Sequence, residues 1–64
     1  MNGTVREFDE PKGIGEIVSA DGTLFLFQCI EIADGTRDID VGRTVSFRPL
    51  PRFGAFQAGA VEKR

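Results

Sequence analysis

Histidine, tryptophan and tyrosine are absent from this 64-residue chain, and cysteine occurs once, at Cys29. Those absences remove zinc fingers and ribbons, histidine acid–base chemistry and any Cys/His nucleophile pair. A lone thiol forms no internal disulfide, so Cys29 is expected as an inert group, buried or half-buried. Glu7 and Glu16 do not make a catalytic pair, because no proton-tuned partner or substrate pocket accompanies them. An enzyme is not expected, and the residues imply no cofactor and no metal. No apolar run approaches the ~18 residues of a membrane span, so no membrane partner is expected. Met1–Val5 lacks the charged-then-apolar pattern of a secretion signal, and a cytoplasmic location is the expectation.

Cationic excess is missing too. Ten acidic residues outnumber eight basic ones, for a net charge of −2 and a pI near 4.9, whereas dedicated nucleic-acid binders usually show the opposite balance. The charges are unevenly spread. Residues 1–40 hold nine acidic side chains against Arg6, Lys12 and Arg37, whereas residues 41–64 hold five basic ones against Glu62 alone. At this length residues 1–64 read as one domain whose core holds on the order of ten side chains.

Turn signals every several residues and no helical period anywhere point to short strands. Asn2–Phe8 reads as the first, with a bulge or bend expected near Glu7, since strict alternation would bury that carboxylate beside Val5. Gly13–Ser19 is the second; its two glycines mark sharp bending or close backbone approach. Ala20-Asp21-Gly22 turns into a third strand, Thr23–Gln28, which is apolar on both faces. Either Phe25 and Phe27 or Leu24, Leu26 and Gln28 point inward; the first choice leaves the Gln28 amide in water. Ile32, Ile39 and Val41 read as plugs under a loop. In Thr44–Pro49, Val45 and Phe47 face inward, and two prolines suggest that Leu50–Gly54 is a loop. Ala55–Glu62 is the last strand, burying Ala58 and Val61. The fold class is all-β, a small five-stranded barrel.

Specific residues carry a resemblance. Gly3-Thr4-Val5, Lys12-Gly13-Ile14-Gly15-Glu16-Ile17, Asp21-Gly22 and Phe25-Leu26-Phe27-Gln28 resemble the cold-shock domain, as do Gly35, Gly42, Val45-Ser46-Phe47, Gln57-Ala58 and Val61. The likeness runs from Met1 to about Glu62. It implies a cold-shock-type OB barrel binding single-stranded RNA or DNA, with bases stacked on aromatics of strands two and three. The family motifs typically read Lys-Gly-Phe-Gly-Phe and Val-Phe-Val-His. This chain has Ile14 and Glu16 at the first two aromatic positions, Leu26 at the third and Gln28 at the histidine. Cys29 stands where another phenylalanine is often found, and Glu7 takes the place of the family tryptophan. Phe8 keeps its ring, and Lys12 is retained. Stacking contributes about 1–3 kcal/mol per base, so three lost platforms remove roughly 3–9 kcal/mol before non-additivity.

The resemblance implies weak or altered binding of single-stranded DNA or RNA. Candidate contacts are Arg6, Phe8, Lys12, Ile14, Leu26 and Gln28 on the sheet face. A second set, Arg52, Phe53 and Phe56, forms an aromatic and basic end; those phenylalanines could equally cap the barrel. The alternative is a protein-interaction module that kept the barrel and lost the stacking surface. Its apolar centre and acidic rim, Ile14 and Leu26 beside Glu7 and Glu16, suit a basic protein partner or self-association.

Overall fold

The computed structural model describes residues 1–52 and 55–64, and shows five strands and one short 3₁₀ turn. They are β1 (Asn2–Asp9), β2 (Ile14–Ser19), β3 (Leu24–Gln28), the 3₁₀ turn Cys29–Glu31, β4 (Thr44–Arg52) and β5 (Ala55–Lys63). The strands close into a barrel in the order β1-β2-β3-β5-β4. Its pairings are antiparallel apart from the one between β3 and β5, which is parallel and registers Leu26 against Gln57. The connection from Cys29 to Arg43 and the whole of β4 separate the two strands along the chain, as a parallel pair requires, since no hairpin can join parallel neighbours.

Alternation sorts each strand. Val5, Ile17, Phe25, Phe27 and Val45 point inward and are almost fully buried, and Phe47, Ala58 and Val61 join them. Ile32 and Ile39 close the barrel beneath the long connection, at 3% and 5% exposure, whereas Val41, expected beside them, is 62% exposed. Val41 occupies a turn whose backbone is committed elsewhere: the Gly42 N–H donates to Val5 O (2.8 Å) and the Val5 N–H to Arg43 O (2.9 Å). β1 has left β4 after Thr4, so this turn supplies the hydrogen bonds that Val5 would otherwise lack.

The expected irregularity in β1 is present. Register against β2 shifts between Val5 and Glu7, making Arg6 the extra residue, so Val5 stays inside while Glu7 is exposed. Gly15 explains the close approach its position suggested. A Cβ there would lie 2.6 Å from Glu7 O and 2.7 Å from the Phe27 ring. Phe8, Gly15 and Phe27 share one cross-strand row, and across the bare glycine the two rings stack with centroids 5.9 Å apart.

Of the expected loop Leu50–Gly54, the described part, Leu50 to Arg52, is strand instead. β4 continues to Arg52 and pairs with β5 through Leu50↔Gln57, Pro51↔Phe56 and Arg52↔Ala55. Pro49 and Pro51, two residues apart, turn their N–H-less nitrogens to the same side. The N-terminal segment bonds that side of β4 only as far as Phe47, which pairs with Met1, so beyond it no ladder bond is lost.

Candidate nucleic-acid interface

The outward residues of β2 and β3, with the last turn of β1, enclose a groove of about 340 Å³. Ile14 and Leu26 form its apolar floor, 48% and 47% exposed. Ile14 is registered opposite Gln28, and Leu26 is flanked by Glu16 on β2 and Gln57 on β5. Two carboxamides therefore line the groove beside two aliphatic side chains. Each amide offers a carbonyl acceptor and two N–H donors, the complement of a base edge.

Lys12 enters at one end. Its position follows from the β1–β2 turn, where Gly13 adopts φ +69° and its N–H donates to Asp9 O at 2.8 Å. The Gly13 carbonyl then accepts from the Cys29 N–H at 2.7 Å, tying the turn to the end of β3. Asp9 also accepts the Lys12 backbone N–H on its carboxylate at 3.3 Å. Glu7, Asp9 and Glu16 put three carboxylates on the rim. Glu7 and Glu16 stand directly opposite each other, an unfavourable cross-strand pair. The bulge answers it: Arg6 Nη1 reaches Glu16 Oε2 at 2.8 Å.

The candidate residues thus fall into three groups. Lys12, Ile14, Leu26 and Gln28 meet in the groove, and Arg6 lies at its edge through Glu16. Phe8 does not join them. Its half-buried ring is packed against the core and stacked on Phe27, on the opposite side of the sheet, so it is no free platform. Phe56 is 56% exposed but rests on Phe25, centroids 5.7 Å apart, and so covers one end of the barrel. Phe53 and the Arg52 side chain lie outside the described residues. Sequence reasoning passed over Gln57 as a contact, because only the parallel β3–β5 pairing brings it beside Leu26. Cys29 is half-buried, its Sγ 2.8 Å from where a Gly13 Cβ would stand. Among the described residues no acidic, cysteine or histidine cluster is arranged to hold a metal ion.

No protein-family model matches the chain, and neither does any curated protein. Solved structures do match. One is the Drosophila Unr cold-shock domain segment CSD456, superposed with a TM-score of 0.76 at 24% identity over 98% of this chain. The chain spans about a quarter of that structure's length, 26%. Its strands, bulged first strand and closed five-stranded barrel give this chain the fold of a cold-shock domain.

Proposed function

We propose that the protein is a weak binder of single-stranded DNA or RNA that holds its ligand in the groove over β2 and β3. The observation carrying this reading is the convergence there of Lys12, Ile14, Leu26, Gln28 and Gln57. It occupies the sheet face that OB-type barrels use for oligonucleotides. Lys12 supplies the phosphate contact, the two amides address base edges, and the aliphatic pair gives a base an apolar surface to lie on. Without aromatic platforms the stacking contribution is small, and the rim carboxylates repel phosphate, so affinity is low. Fluorescence-anisotropy titration of labelled single strands at low and raised salt tests this. Weak binding that fades with salt, and that falls further in Lys12→Gln, is expected. Absence of binding even at low salt refutes it.

The rim favours a second reading, in which Glu7, Asp9 and Glu16 around Ile14 and Leu26 receive a basic amphipathic protein segment. In that case a peptide of lysines and leucines binds, Leu26→Arg abolishes its binding, and oligonucleotides do not compete.

A further inference from the structure

Arg6 lies at the edge of the groove, where its guanidinium is turned to the lining residue Glu16 rather than left for a ligand. The geometry that does this is specific. The bulge makes Arg6 an extra residue in β1, bringing it to the side where Glu7 and Glu16 face each other. Glu16 is itself part of the groove lining and is the less exposed partner, at 26% against 56% for Arg6. One Arg6 nitrogen is engaged and the side chain remains largely in solvent, so the contact is open to exchange with a competing anion.

We infer that Glu16 acts as an intramolecular substitute for a nucleic-acid phosphate, holding Arg6 across the edge of the groove and thereby limiting affinity for single strands. The inference rests on the proposed single-strand binding in this groove. A carboxylate oxygen at 2.8 Å offers the guanidinium a charge-assisted hydrogen bond of the kind a phosphate oxygen offers. A strand entering the groove must displace it and then leave the Glu16 charge unpaired beside its own phosphates. Glu16 therefore counts against binding twice, by occupying a cation and by supplying an anion. As an exposed pair it is weak enough to be opened by a strand that brings a competing phosphate.

The test is a double-mutant cycle read by oligonucleotide anisotropy at several salt concentrations. Glu16→Gln keeps the shape and hydrogen-bonding capacity while removing the charge. It is expected to tighten binding by about tenfold and to steepen the salt dependence by about 0.7 in log–log slope, one added phosphate contact on a single strand. Arg6→Ala alone is expected to weaken binding by a few-fold at most, less than Glu16→Gln tightens it, because in the free protein the guanidinium is held on Glu16. In Arg6→Ala/Glu16→Gln most of the gain should vanish. Thermal melting of each variant verifies that the barrel is intact.

A gain that survives in the double variant overturns the inference, since Glu16 then acts by repulsion alone. Wild-type binding with no gain in Glu16→Gln also overturns it, while the single-strand reading stands. If neither protein binds, both fall. If only Glu16→Gln binds, the single-strand reading of the wild type falls, and the inference, which rests on it, falls with it.

Discussion

Adjacent residues on one strand have had opposite fates here. On β3, Phe25 and Phe27 point into the barrel at 3% and 2% exposure, and between them Leu26 points out at 47%. The inward set, with Ile17 and Val45, is what a cold-shock barrel needs to close. The outward set, Ile14, Glu16, Leu26 and Gln28, holds no aromatic ring where the resemblance leads one to expect stacking platforms. The two faces of a sheet are under separate physical demands. Packing density constrains the inner one, where a lost methylene leaves a void, while the outer one can be exchanged side chain by side chain at small cost in stability. One fold can therefore carry different chemistries on its outer face.

The sharpest way to break that comparison is to truncate neighbours. Phe27→Ala should cost about 3–5 kcal/mol. A domain under 70–80 residues rarely has more than about 3–5 kcal/mol from its core, so thermal melts by circular dichroism should find the variant largely unfolded at room temperature. Leu26→Ala, one residue away, should change stability by less than about 0.5 kcal/mol. Comparable losses at the two positions would contradict the division between faces.

Next in size is the restoration of platforms. Ile14→Phe with Leu26→Phe should raise single-strand affinity by at least about tenfold, at 1–3 kcal/mol per stacked base, while the melting temperature moves only slightly. An unchanged titration would mean that the outer face is not where the strand lies. Lys12→Gln should have a smaller effect, a few-fold weakening with the salt slope reduced by about 0.7 if Lys12 neutralises one phosphate.

The smallest expected effect lies away from the groove. Asp34 accepts hydrogen bonds from the Thr36 backbone N–H and hydroxyl and pairs with Lys63 at 3.0 Å. The Thr36 N–H foremost, with Lys63, lowers its pKa from 3.8 to about 2. The stabilisation this represents is complete above the unfolded value and is lost as pH falls through about 2. Asp34→Asn should therefore melt slightly lower at neutral pH and lose less stability than the wild type between pH 4 and 2. Solvent around the exposed Asp34 carboxylate keeps that difference small. A carboxyl titration by NMR with a midpoint near 3.8 would contradict the arrangement.

Much of the barrel was legible in the residues because alternation and turn chemistry are local signals. Val5, Val45, Phe47 and Ala58 declare their facing, and Glu7 declared the bulge, since a carboxylate could not follow Val5 inward. Val41 misled because its apolar side chain carried no sign that the neighbouring backbone would be used to pair with Val5. The prolines misled because their meaning depends on which edge of β4 is free, a tertiary fact. In the groove, Lys12, Ile14, Leu26 and Gln28 were reached through the resemblance, which sets them at positions of the two family motifs. Gln57 was not legible as their neighbour, since a parallel partner brought by a long connection leaves no local trace. Nor was the loss of Phe8 to Phe27, which requires knowing that Gly15 lies between them.

The most direct test is an amide-resolved NMR titration of the protein with a mixed-sequence single strand at low salt. Shifts are predicted to concentrate at Lys12, Ile14, Leu26, Gln28 and Gln57 and to recede as salt is added, with core amides such as those of Val5 and Val45 unmoved. A silent groove, or shifts confined to the basic residues of the other end such as Arg43 and Arg64, would contradict the account.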